Sequence, residues 1–274
     1  MNAPTNNPTI VAVGECTLDD YVLQGETHVG GIALNFAVHA ARCGARASLV
    51  SRAGNDGVAH VRSALTANGV SDEYLATDHS APTARQRIHV LPNGERCFPA
   101  GGFTFGSMQG FLPDAQAAAH IATQDAVACP CYTQALPLFN HVMRLPTTGL
   151  RIADFSDLSD FGRDPGVVAR HAPALAVAFV GGDNAHEPAL QEIARSSNCV
   201  IVLTLGAQGS IGYEHEARHV QPAVAVERTV DTTGCGDAFQ AAFIVSWLRQ
   251  RNVPAALAAG AAHAATVTRH RGAF

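Results

Sequence analysis

Two aspartates bracket a glycine-rich turn at Asp231-Thr-Thr-Gly-Cys-Gly-Asp237. The turn runs straight into Ala238-Phe-Gln-Ala-Ala-Phe-Ile-Val-Ser-Trp-Leu248, with no further glycine or proline until Pro254. This spacing predicts a helix that begins near Cys235 or Gly236. The first N–H groups of a helix lack internal partners, and the macrodipole places about half a positive charge there. Gly234, Cys235 and Gly236 would therefore offer open amides to a phosphate. Asp237 would repel that phosphate but would suit a nucleophile, with an acceptor hydroxyl lying between its carboxylate and a phosphoryl group held by the amides. A plainer reading is an acidic cap on a buried helix, and the turn by itself leaves both open.

The basic residues narrow the chemistry. All 18 are arginine and there is no lysine, which excludes a Walker-type lysine, a protein-kinase strand lysine and a pyridoxal Schiff base. Any nucleotide phosphate must be neutralised by backbone amides, arginine and Mg2+. The net charge of -5 argues against a nucleic-acid or anionic-membrane surface and leaves small molecules as partners. Seven cysteines at scattered spacing point to reduced thiols and a cytoplasmic protein. Cys129-Pro-Cys131 is the one close pair, and with no zinc-finger spacing around it, strand-end packing is the better reading. No apolar run reaches membrane-span length, and Met1 to Pro8 reads as a polar tail without signal-peptide features.

Something must hold the turn in place, and 274 residues at 47% hydrophobic content can build a large core. Apolar runs at 9–14, 47–51, 73–77, 125–129, 150–155, 176–180 and 199–203 read as strands. Helical patterns at 32–43, 58–67, 113–123, 133–144, 164–171, 187–197 and 254–269 alternate with them, and 210–213 with 218–221 read as a further strand pair. The alternation predicts an α/β fold with a mostly parallel, doubly wound sheet. Ligands bind such sheets beyond the strands' carboxyl ends, where the chain places Glu15 to Asp20, Asp154 to Ser156, Gly181 to Glu187 and Thr204 to Gly209. Gly30-Gly31 would let backbone approach a ligand, with Asn35 one turn into the following helix. Asn184 and Glu187 straddle a helix start, where one would cap it and both would reach a hydrated metal. Asn93-Gly94 between two extended runs predicts a hairpin over about 83–98, standing off the main sheet as a lid. Its arginines, Arg85, Arg87 and Arg96, either reach an anionic substrate or lie on a solvated face.

With these stretches in place, the chain resembles the ribokinase-like carbohydrate kinases, the PfkB family. Gly30-Gly31 with Asn35 resembles the family's amino-terminal signature. Asp231 to Asp237 matches its carboxyl-terminal signature, with cysteine in place of the usual alanine. Asn184-Ala-His-Glu187 is similar to its Asn-x-x-Glu element, and Thr204-Leu-Gly206-Ala-Gln-Gly209 to its nucleotide loop. Within the family the likeness runs to the fructoselysine 6-kinase type. It rests on overall length, Asp154-Phe-Ser-Asp157, Thr204-Leu-Gly206 with Gly209-Ser210, and the ending Gly272-Ala273-Phe274. Ile32 and the segment 53–59 depart from that type beside the expected sugar pocket.

The resemblance implies a ribokinase-like three-layer αβα sandwich over residues 1–274, one domain with a β lid from about 18–29 and 83–100. It implies transfer of the ATP γ-phosphoryl group to a sugar hydroxyl, the 6-hydroxyl of a fructosamine first among candidates. Asp237 would be the base and Gly234, Cys235 and Gly236 the anion hole. Asp19, Asn35 and lid Arg87 would bind the sugar, with Gly30 and Gly31 beneath its ring. Asn184, Thr204, Gly206 and Gly209 would line the ATP site, Glu187 would hold Mg2+ through water, and Asp231 and Thr233 would bind a monovalent cation such as K+, as in some relatives. A homodimer through the lid is a further expectation. The helix terminus should make Asp237 a weak base and lower the Cys235 thiol pKa. Ribose, fructose, ketodeoxygluconate and nucleoside kinases are alternatives within the class. A non-catalytic sugar or nucleotide sensor is the alternative outside it. A nicotinamide oxidoreductase is disfavoured because no Gly-x-Gly-x-x-Gly follows Ile10 to Gly14.

Overall fold

The computed structural model describes residues 7–274; residues 1–6 of the expected polar tail lie outside the described residues. Among the described residues no helix is long and apolar enough to cross a membrane. The chain opens with β1 (Thr9–Val13), β2 (Thr17–Tyr21), β3 (Glu26–Gly30) and α1 (Ile32–Arg42). Next come β4 (Arg46–Gly54), α2 (Val58–Ala67), β5 (Leu75–Asp78), β6 (Ala84–Val90), β7 (Arg96–Cys97) and β8 (Phe103–Thr104). The alternation resumes with α3 (Ala115–Ala122), β9 (Ala126–Pro130), α4 (Leu136–Val142), β10 (Leu150–Asp154), α5 (Gly166–His171), β11 (Val177–Gly181) and α6 (Glu187–Ser196). It closes with β12 (Val200–Thr204), β13 (Ser210–Glu214), β14 (Ala217–Gln221), α7 (Cys235–Gln250) and α8 (Val253–Val267).

Nine strands form the main sheet in the order β14-β13-β12-β11-β10-β9-β1-β4-β5. Pairing is parallel from β5 to β12, and only β13 and β14 run against their neighbours. Alternate side chains enter two separate cores: Ile10, Ala12 and Val202 on one face, Val11, Val13 and Leu203 on the other. Burial on both faces explains why these strands read as continuous apolar runs rather than alternating ones. Leu34 of α1, Leu65 of α2, Phe243 of α7 and Leu257 of α8 fill the first core. Ile121 of α3, Phe139 of α4, Val168 of α5 and Leu190 of α6 fill the second. The result is the doubly wound sheet the alternation implied and the three-layer arrangement the resemblance implied. Helix α7 is apolar around most of its circumference because it is buried under α1 and α8. Gly260 of α8 leaves room for the Phe239 ring, where any side chain would collide.

A second sheet, ordered β3-β2-β6-β7 with β8 on β6, stands beside the strands' carboxyl ends. The hairpin forms as the Asn-Gly signal predicts, with Val90 opposite Arg96 and His89 opposite Cys97. Gly94 has φ 84°, and its carbonyl accepts from Thr232 N at 3.0 Å, which docks the hairpin tip on the segment that leads into α7. The chain leaves β1 for β4 on one side and returns to β9 on the other. A crevice of this kind at the strands' carboxyl ends is the usual ligand site of an open α/β sheet.

Candidate active site

A cleft of about 510 Å³ occupies that crevice. Its floor is built from strand ends: Glu15 after β1, Tyr132 after β9, Asp154 of β10, Gly181 of β11 and Thr204 of β12. Thr17 and Asp19 of β2, Gln86 and Ile88 of β6, Arg96 of β7 and Phe103 of β8 form the lid-side wall. Gly234, Gly236 and Asp237 at the start of α7 close the far end.

Asp237 sits in the first turn of α7, and its Oδ2 accepts a hydrogen bond from Asn35 Nδ2 at 2.8 Å. Burial, with Asp154 and Glu15 nearby, holds the Asp237 carboxyl well above the ordinary carboxylate range, against the opposing pull of Asn35 and Arg96. The expected weak base is thus a stronger one, because loss of water outweighs the helix dipole. Gly234 adopts φ 79° as N-cap and backs onto Ala273, while the space beside Gly236 is open. Cys235 N donates to Thr232 O at 3.2 Å, whereas the amides of Gly234 and Gly236 have no protein acceptor among the described residues. The Cys235 thiol is pushed up to about 12 by burial, the reverse of the expected lowering, so it stays protonated.

Carboxylates dominate the cleft: Glu15, Asp19, Asp154, Asp157, Asp160 and Asp237 line it, and Arg96 is the one cation among its described lining residues. Burial raises Glu15 and Asp19 each to about 7 and lifts Asp154 as well. Asp19 Oδ1 accepts from Thr17 Oγ1 at 2.6 Å. Arg96 is held over the turn that leads into α7 by Nη1 donating to Thr232 O at 2.9 Å and by its amide donating to Thr232 Oγ1 at 3.2 Å.

Asp19, Gly31, Asn35, Thr204, Thr233, Gly234, Gly236 and Asp237 therefore meet in one cleft, and several other expected residues do not. Arg87 is exposed outside it: strand alternation turns Gln86 and Ile88 inward and sends Arg85 and Arg87 to the other face, where Arg85 pairs with Asp20 at 3.0 Å. Gly30 lies behind the wall, where a side chain would strike the Asp19 carboxylate. Asn184 is exposed, and the neighbouring Asp183 caps that short turn instead. Glu187 Oε2 accepts from Tyr213 Oη at 2.9 Å and from Arg218 Nη2 at 2.8 Å, which ties it to the β13–β14 edge outside the cleft lining. Asp231 is fully buried with four protein donors: Thr233 N and Oγ1, Tyr21 Oη and Gly272 N. That set fills its capacity as an acceptor and leaves the side chain nothing for a monovalent cation. Gly206 and Gly209, with φ 56° and 99°, shape the β12–β13 turn beyond the cleft wall. Among the described residues no group of three or more His, Cys, Asp or Glu is placed to hold a metal ion. Sequence reasoning gave no role to Glu15 or Tyr132; the usable signal was their place just past the ends of β1 and β9.

Residues 8–109 and 176–274 match the pfkB family carbohydrate kinase domain. The chain is 29% identical to fructoselysine 6-kinase of Escherichia coli (strain K12), over 97% of this chain and 99% of that one. It is 28% identical to fructosamine kinase FrlD of Bacillus subtilis (strain 168), over 97% and 92%. Among solved structures, adenosine kinase from Sinorhizobium meliloti superposes with a TM-score of 0.84 at 19% identity, covering 98% of this chain and 96% of that one, a likeness of fold.

Proposed function

The chain belongs to the pfkB family of carbohydrate kinases, and from that premise we propose that it uses ATP to phosphorylate a fructosamine, of the fructoselysine kind, at the 6-hydroxyl. The observation that carries the substrate is the near full-length likeness to two kinases of glycated amines.

The cleft supports each step. Asn35 holds Oδ2 of Asp237, which leaves Oδ1 for the acceptor hydroxyl. Phosphoryl transfer proceeds through a loose, metaphosphate-like transition state, so position matters more than basicity, and the hydroxyl proton passes to Asp237 late. The amides of Gly234 and Gly236 face the γ-phosphoryl oxygens at the positive end of α7, a type of contact worth about 2.7–4 kcal/mol of transition-state stabilisation. Arg96 adds the one side-chain positive charge among the described residues lining the cleft. Thr204 and Gly181, at the ends of β12 and β11, border the space left for the nucleotide. Mg2+ would neutralise phosphate charge while keeping several waters, and Asn184 and Glu187, which lie outside the cleft lining, would meet it only through water.

The test is an ATP-consumption assay against fructoselysine, fructose, ribose, ketodeoxygluconate and adenosine. Fructoselysine should give the highest kcat/KM, and Asp237→Asn should lose roughly 10²–10⁴ in kcat while retaining ATP binding. A preference for ribose or adenosine would overturn the substrate, and near-normal turnover by the variant would overturn the base.

A further inference from the structure

Three polar side-chain atoms of the cleft residues are buried without any hydrogen bond: Glu15 Oε2, Asn35 Oδ1 and Tyr132 Oη. Glu15 is 3% exposed and Asn35 4%. The other half of each of these two side chains is already engaged, since Glu15 Oε1 accepts from Ile32 N at 3.1 Å and Asn35 Nδ2 donates to Asp237. The Tyr132 hydroxyl faces Glu15 without meeting hydrogen-bond geometry, yet it is close enough to favour the ionised Glu15 carboxylate, so the two orphaned oxygens look into one space. Buried polar atoms are normally paired, and a bare carboxylate oxygen is the costliest exception. These atoms are therefore suited to a ligand that brings donors with it.

Charge decides which donor. Glu15 has no salt-bridge partner among the described residues, and the cleft sets six carboxylates against one arginine before any nucleotide phosphate enters. A neutral sugar would leave Glu15 either protonated or a bare buried anion, whereas a cationic group would let it ionise against a partner. Resting on the fructosamine reading above, we propose that Glu15 recognises the protonated secondary amine of the substrate. One ammonium N–H donates to Glu15 Oε2 in a charge-assisted hydrogen bond, and the other donates to Tyr132 Oη. Asp237 handles the hydroxyl that reacts, and Glu15 reads the group that marks the sugar as glycated.

The test measures kcat/KM for fructoselysine and for fructose in the wild type, Glu15→Gln and Tyr132→Phe, with thermal melting to confirm folding. Glu15→Gln should lower the preference for fructoselysine over fructose by roughly 10- to 100-fold, the loss of one charged hydrogen bond. Tyr132→Phe should lower it by a smaller factor, and it carries the test if Glu15→Gln does not fold. Equal losses on both sugars would make Glu15 a general contact and overturn the proposal while leaving the fructosamine reading intact. A wild type inactive on fructoselysine but active on a neutral sugar would overturn both.

Discussion

Arg96 is the only positive side chain among the described residues lining the cleft, and it stands over the turn that opens α7. Asp237 must be ionised to accept a proton, so activity should fall as pH drops through its raised pKa. Arg96 opposes that rise, and removing it should push the pKa higher still. Arg96→Met should therefore cost roughly 10²–10³ in kcat, as removal of one transition-state donor does, and move the acid limb of the kcat profile to higher pH. A variant with unchanged kcat and an unmoved acid limb would place Arg96 outside the reaction. At this scale sequence reasoning was least secure. Arg87 and Arg96 look alike on paper, and only strand alternation and the hairpin register send one outward and the other over the cleft. Cys235 and Asp237 were read from the helix dipole alone, while burial within the folded cleft sets the direction of both pKa shifts.

At the level of elements, the lid is fastened to the turn that opens α7 rather than resting on it. Tyr21 of β2 donates to Asp231 Oδ2 at 2.8 Å, and the same oxygen accepts from Gly272 N at 3.0 Å. Ala273 packs behind Gly234, and its carbonyl meets His39 Nε2 of α1 at 2.8 Å. The strand that carries Asp19, the turn that presents Gly234 and the C-terminal tail thus share one buried carboxylate. Tyr21→Phe should cost about 1.5–3 kcal/mol in urea unfolding, the range for a hydrogen bond to a charged group, and an unchanged midpoint would show that the fastening contributes nothing. The helices, the strands of the main sheet and the Asn93-Gly94 hairpin were legible because apolar period and turn chemistry are local, whereas β2 and β3 entered only through the lid that the resemblance implied. The short strand β8, inside the glycine-rich segment 100–110, was not, because it is defined by pairing with β6.

The molecule as a whole follows from one reversal of direction, β1 pairing with β4 on one side and β9 on the other. That crevice gathers residues as distant in sequence as Glu15 and Gln240. The sheet and its two helical layers could be read from the chain because strands buried on both faces are continuous apolar runs. The commitment of Glu187 to Arg218 could not, since it depends on how the antiparallel edge β13–β14 lies against α6. As proposed, this cleft holds a fructosamine with its 6-hydroxyl at Asp237 and its amine at Glu15. The most direct measurement is phosphorus–proton correlation NMR of the product formed from ATP and fructoselysine. Phosphate on oxygen 6 is the predicted result; phosphate on another hydroxyl, or no phosphorylated product while a neutral sugar is turned over, would contradict the account.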